Sequence, residues 1–169
     1  TPLHYFIAAP TRDQVKRIYW QDIKALCFSE TLPKHTVSES ELSIQLPNGA
    51  RITLVGLDQP QRMEGVAWGG GVIDEIADVK ADAWALNIKP ALDTVHPMNP
   101  NHRPWCWLIG VPDGLNHYYD MAEYARASGD VDWKLYTWHS SDILPPDVVN
   151  AARRSMPLKQ FKQEYEASF

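Results

Sequence analysis

Only two of the 169 residues are cysteine. Cys27 and Cys106 stand far apart and form neither a C-x-x-C pair nor a metal cluster, so the sequence predicts two buried free thiols and a reducing compartment. Positive charge is scarce as well: 16 Lys plus Arg face 21 Asp plus Glu, for a net charge of −5. No global positive field advertises a nucleic acid or an anionic membrane, and any polyanion contact must be local. No run of 18 apolar residues occurs and no charged-then-apolar leader opens the chain, which predicts neither a membrane span nor a secretion signal. His96, His102, His117 and His139 lack the close spacing of a zinc helix. Internal repeats and low-complexity tracts are missing. No glycine is followed by lysine, so the phosphate-cradling loop G-x-x-x-x-G-K-[ST] cannot be matched anywhere.

What is present is apolar mass. Hydrophobic residues make up 44% of the chain and seven residues are Trp, enough for a packed core. The length predicts one compact domain over residues 1–169. His4 to Ala9 is a continuous apolar run ended by Pro10, the pattern of a strand buried on both faces. Thr11 and Gln14 then have capping-box spacing, and Val15, Ile18, Tyr19, Ile23 and Leu26 recur at helical spacing through Cys27. Leu42 to Leu46 and Arg51 to Val55 alternate around "PNGA", an Asn-Gly hairpin signal. Three glycines precede the short apolar strand of "GGGVIDE", and a helix is expected over about 81–92. "WCWLIG" reads as a strand, "VPDG" as a turn, 115–127 as a helix and "VDWKLYTW" as a further strand. Two short helices follow, the second over 158–166. Strands alternating with helices predict an α/β fold with a mostly parallel sheet flanked by helices. The scattered Trp residues read as core.

Val72-Ile73-Asp74-Glu75 carries the strongest chemical signal. A buried strand that ends in two carboxylates delivers them to the edge where α/β sheets bind ligands. Neighbouring strand residues point opposite ways, so the two acids suit a division of labour in which an Asp holds Mg²⁺ and the next Glu polarises a water. A solvated strand end is the plain alternative. Arg62, 12 residues earlier, reads on its own as a surface residue pairing with Glu64 or Asp58. Gly110 and Gly114 permit tight turns that bring backbone to the ligand edge, or form an ordinary strand-to-helix turn. Thr11 is explained by helix capping alone, and Arg12 reads on its own as solvent-facing.

Four runs in order resemble the large subunit of tailed-phage terminases, the ATPase that drives DNA into the procapsid. They are "YFIAAPTRDQVKRIYW" from Tyr5, "QRMEGVAWGGGVIDEIAD" from Gln61, "LIGVPDGLNHYYD" from Leu108 and the closing "MPLKQFKQEYEASF". The resemblance implies a P-loop NTPase sheet of the additional-strand, catalytic-glutamate type, incomplete at its N-terminus. It implies Asp74 in the Walker B role as Mg²⁺ ligand, Glu75 as catalytic base and Arg62 as an arginine finger. Gly110, Pro112 and Gly114 match the coupling motif, although Val111 stands where many members carry Thr or Ser. Thr11 and Gln14 match the segment after the second core strand, and with the coupling motif are expected at the nucleotide. For Arg12, in the same segment, the resemblance implies DNA phosphate as the alternative contact to solvent. ATP and Mg²⁺ are the implied cofactors. Double-stranded DNA, the portal protein, the small terminase subunit and further copies in a ring are the implied partners, with no membrane and a host-cell cytoplasmic location. In the family the phosphate loop lies upstream of the strand at Tyr5, so residues before Thr1 are expected to carry it, and the nuclease domain is expected beyond Phe169. A non-catalytic scaffold and a helicase-like ATPase are the rival readings.

Overall fold

The computed structural model describes residues 2–28 and 36–169. They divide into two compact units, 1–109 and 110–169.

The first unit is built on β1 (His4–Ala9), α1 (Arg12–Cys27), β2 (Thr36–Ser38), β3 (Ser43–Gln45), β4 (Arg51–Gly56), β5 (Trp68–Ile73) and β6 (Trp105–Leu108). The sheet order is β2-β3-β4-β1-β5-β6. β4, β1, β5 and β6 run parallel, and β3 and β2 add an antiparallel edge. The sheet is therefore mostly parallel, as the alternation of strands and helices predicts. β1 sits inside it, and Phe6, Ala8 and Ala9 are all buried. The Asn-Gly hairpin forms as expected: Leu46 N–H donates to the Ala50 carbonyl at 2.7 Å, and Gly49 takes φ +84°, which only glycine adopts without strain. β2 was not foreseen, because three residues are too short to show a period.

α1 packs on the sheet through Val15, Trp20 and Cys27, which join Ala9, Leu42, Ile44 and Leu54 in one buried cluster. The expected stripe is half right. Ile18 and Leu26 are 41% and 72% exposed, and Trp20 and Cys27 take their places. The larger Trp20 decides the helix's rotation, because its indole also donates to Glu39 at 2.6 Å. Thr11 caps the helix as expected, accepting from the Gln14 N–H at 3.2 Å.

The glycine run of β5 answers to its neighbours. A Cβ on Gly71 would stand 2.5 Å from the Phe6 ring and the Phe6 carbonyl, and one on Gly70 would stand 2.6 Å from the Trp105 ring. Gly71→Ala is therefore expected to lower stability by roughly 1–3 kcal/mol, read as a fall in the urea midpoint at unchanged slope. The helix expected over 81–92 opens instead as a π-turn, Trp84–Ile88, running into the short α2 (Lys89–Leu92). Pro90 is the cause. It has no N–H to give, and its ring would strike the carbonyl four residues back, so the turn widens and Lys89 N–H reaches the Trp84 carbonyl.

His4 opens β1 with its Nε2 2.8 Å from Thr53 Oγ1 and its ring 4.5 Å from the Trp68 ring. Partial burial, and secondarily the Arg51 charge, lower its pKa from 6.5 to about 4. The folded chain thus holds His4 neutral where the unfolded chain protonates it. This contribution is complete above about pH 6.5 and is lost as the pH falls toward 4. Thermal unfolding across pH 7 to 4 should show a falling midpoint, with a smaller fall in His4→Gln.

The second unit holds α3 (His117–Ala127), α4 (Pro146–Ser155) and α5 (Leu158–Glu166). α3 starts two residues later than expected, where the Asn116 side chain accepts from the N–H groups of Tyr118 and Tyr119. Phe161 is fully buried, the Arg153 guanidinium lies 4.6 Å over its ring, and Arg153 pairs with Glu166 at 2.7 Å. The strand expected from "VDWKLYTW" is absent: residues 131–138 form none, and no strand of this unit is available among the described residues to pair with it. Their aromatics pack locally, Tyr136 stacking on Trp138 and Trp133 meeting Tyr124 edge-on. The reading of the Trp residues as core needs the same correction. Trp20 and Trp68 are buried, whereas Trp105, Trp107 and Trp138 are exposed by 45–61%. Both cysteines are free; Cys27 is buried as expected, whereas Cys106 is only partly covered, and desolvation pushes its thiol up to about 12. No helix among the described residues is long and apolar enough to cross a membrane.

Candidate active site at the end of β5

β5 is an interior strand between β1 and β6, and Asp74 is the first residue beyond it. Asp74 N–H still donates to the Ala8 carbonyl of β1 at 2.8 Å, while Ile109 N–H donates to the Ile73 carbonyl at 2.8 Å and Ile76 N–H to the Ile109 carbonyl at 3.0 Å. The strand end is thus pinned from both sides. Chain direction puts Asp74, Glu75 and the β1-to-α1 turn at one carboxyl edge, so Thr11 and Gln14 begin their helix on the same edge. Close approach of backbone builds that edge: a Cβ on Gly56, the last residue of β4, would stand 2.2 Å from Arg12 N.

The Asp74 carboxylate is half-buried and held at both oxygens. Oδ1 accepts from the Glu75 N–H at 3.0 Å, and Oδ2 accepts from the Tyr19 hydroxyl at 2.6 Å. Donors at both oxygens fix the side chain's direction. Burial, then the hydrogen bond and charge of Asp74, raise the Tyr19 pKa far above its ordinary value of 10.0, so the phenol remains a donor. Glu75 follows in the left-handed region, φ 52° and ψ 47°, a conformation a non-glycine residue adopts only when its surroundings impose it. That turn ends the pleat, so strict strand alternation no longer governs the two acids, and a single helical turn, Ile76–Asp78, begins at once.

The remaining expected residues lie as follows. Arg62 sits exposed in the short 3₁₀ turn Pro60–Met63 and forms no ion pair among the described residues. Of the two partners anticipated for it, Asp58 and Glu64, neither pairs with it, and Glu64 accepts instead from the Asn87 side chain at 2.5 Å. The next residue, Met63, gives its carbonyl to the indole N–H of Trp68 at 2.8 Å, which anchors this turn to the first residue of β5. Arg12 donates to the Ser40 carbonyl at 2.8 Å rather than facing bulk solvent. Gly110, Pro112 and Gly114 belong to the second unit. There Pro112 is buried, the Gly110 carbonyl accepts from the Tyr118 hydroxyl at 3.3 Å, and Gly114 takes φ +60° with open space where a Cβ would be.

Tyr19 is the residue sequence reasoning missed. Its place in an apolar helical stripe reads as core, and the only signal to the contrary is that a phenol is not wholly apolar. Among the described residues no three of His, Cys, Asp and Glu cluster to hold a metal by themselves. A lone oriented carboxylate does fit Mg²⁺, which is commonly held by one or two carboxylates together with substrate phosphates.

Comparison with known proteins points to one family. The terminase large subunit of Escherichia phage T5 is 26% identical over 156 residues, 90% of this chain and 34% of that protein. Over most of its length the chain is similar to the large subunits of phage terminases. The terminase large subunit of Thermus phage G20c is 24% identical over 196 residues, covering 97% of this chain and 39% of that protein. The chain thus spans 34–39% of the length of these curated relatives. No family model matches it. The fold agrees with the large terminase ATPase domain of Thermus phage P74-26 at a TM-score of 0.75 and 19% identity, over 99% of this chain and 76% of that one. The large terminase of another thermophilic bacteriophage, in complex with ADP, matches at 0.71 and 12% identity, over 99% of this chain and 40% of that one. The six-stranded sheet thus has the fold of the P74-26 large terminase ATPase domain.

Proposed function

We propose that this chain is part of the ATPase of a viral DNA-packaging motor, in which hydrolysis of Mg-ATP drives double-stranded DNA into a procapsid. One observation carries the reading: an oriented carboxylate and an adjacent glutamate stand at the carboxyl end of an interior parallel strand. The terminase relatives and the ADP complex of a structurally similar large terminase support it. Residues 1–169 serve within one ATPase domain and hold no G-x-x-x-x-G-K-[ST] loop of their own.

Asp74 would hold Mg²⁺, which when bound neutralises phosphate charge. Asp74 contributes a carboxylate already turned toward the edge, so little rotamer freedom is lost on binding. Glu75 takes the proton of the attacking water at its carboxylate. Thr11 and Gln14 line the helix start that faces the nucleotide, and Gly110 to Gly114 relay its state to the DNA-moving parts. Arg62 acts as the arginine finger. Portal protein, small terminase subunit and sister subunits in a ring complete the machine in the host cytoplasm.

Calorimetric titration of Mg-ATP tests this. Residues 1–169 alone are expected to show no micromolar site, because a carboxylate and a base do not replace the backbone N–H groups and lysine that grip phosphates. The full-length subunit is expected to bind and to hydrolyse ATP faster with DNA present. A full-length subunit that binds DNA or portal but neither binds nor hydrolyses ATP would establish the scaffold reading instead.

A further inference from the structure

We propose that Tyr19 is a positioning residue for the metal-binding carboxylate: its hydroxyl, 2.6 Å from Asp74 Oδ2, holds that carboxylate in the direction from which it meets Mg²⁺. The proposal rests on the ATPase reading above and adds to it a residue from a different element. Asp74 has one donor from its own backbone neighbourhood, the Glu75 N–H on Oδ1, and one from 55 residues away, Tyr19 on Oδ2. The first donor constrains Oδ1 alone. Rotation about the Cβ–Cγ bond, a broad and soft torsion in a carboxylate, is stopped only when the second oxygen is held too.

α1 can supply this hold because its rotation is fixed elsewhere. Val15, Trp20 and Cys27 lock the helix onto the sheet, and Trp20 is further tied to Glu39. Tyr19, next to Trp20, is thereby aimed along the sheet toward the end of β5, and the phenol is long enough to cross from β1's helix to β5. A single O–H uses one lone-pair direction of Oδ2 and leaves the other for the ion or its water.

The test is the metal dependence of nucleotide binding by Tyr19→Phe in the full-length subunit, measured by Mn²⁺ electron paramagnetic resonance and by ATP calorimetry at stepped Mg²⁺ concentrations. The expected result is a rise on the order of tenfold in the metal concentration for half-saturation, the scale of one hydrogen bond to a charged group. Turnover at saturating Mg²⁺ should stay within about twofold of wild type, and metal-free ATP affinity should not change. Ile23→Ala, which loosens α1 packing without touching the hydroxyl, should leave the metal dependence alone. Unchanged metal dependence in Tyr19→Phe beside a large shift in Asp74→Asn would overturn the Tyr19 role and spare the Walker B assignment. Unchanged dependence in both would overturn the assignment itself. An equal shift in Ile23→Ala would reduce Tyr19 to ordinary packing.

Discussion

Glu75→Gln in the full-length subunit should bind ATP with near wild-type affinity and hydrolyse it roughly 10²–10⁴-fold more slowly. The amide keeps the size and hydrogen-bonding reach of the carboxylate but cannot accept the water's proton. It also leaves Asp74 untouched, because the bond to Asp74 Oδ1 comes from the backbone N–H of residue 75 and not from its side chain. Binding and turnover should therefore separate, which steady-state hydrolysis and nucleotide titration read independently. The left-handed backbone at this position tolerates Gln as well as Glu, so unchanged thermal unfolding is the accompanying expectation. Wild-type turnover in this variant would remove Glu75 from the chemistry.

Arg62→Ala carries the other large effect. If the finger role holds, turnover falls by roughly 10³–10⁵ while ATP affinity and fold stability change little, since the charge acts on the transition state. The stability half of this expectation follows from the exposed side chain, which takes part in no ion pair among the described residues. The 3₁₀ turn that carries it is secured by buried Pro60 and Met63, not by Arg62. Lysine should rescue poorly, because a point charge lacks the planar fork of the guanidinium. Mixed assemblies of Arg62→Ala and Glu75→Gln subunits distinguish a finger that crosses a subunit boundary, which would restore turnover, from one that acts within its own subunit. Unchanged turnover in Arg62→Ala alone would leave it a surface residue.

Long-period signals made the parallel core legible in the sequence. The apolar run His4 to Ala9 and the Asn-Gly hairpin each combine burial with a turn signal and lie where expected, whereas the glycines expected ahead of the "GGGVIDE" strand form part of it. The acids at the end of β5 could be placed because a buried strand has only one place to put charge, its end. Tyr19 could not be placed, since a phenol in an apolar stripe looks like any packed ring until the partner 55 residues away is known. The rotation of α1 was misjudged for a related reason: period alone does not tell Ile18 from Trp20 when both border the stripe. "VDWKLYTW" misled because alternation reports a willingness to pair, and pairing requires a neighbour that this unit does not offer. The π-turn at Trp84 is local chemistry that Pro90 announces but that a search for regular helices overlooks.

The most direct measurement of the β5-edge assignment is a crystal structure of the full-length subunit with Mg²⁺ and a slowly hydrolysed ATP analogue. The expected density places the metal against the Asp74 carboxylate, with the Tyr19 hydroxyl still on Oδ2 and the terminal phosphate on the side of Glu75. A nucleotide bound away from the carboxyl end of β5, with Asp74 and Glu75 facing only solvent, would contradict it.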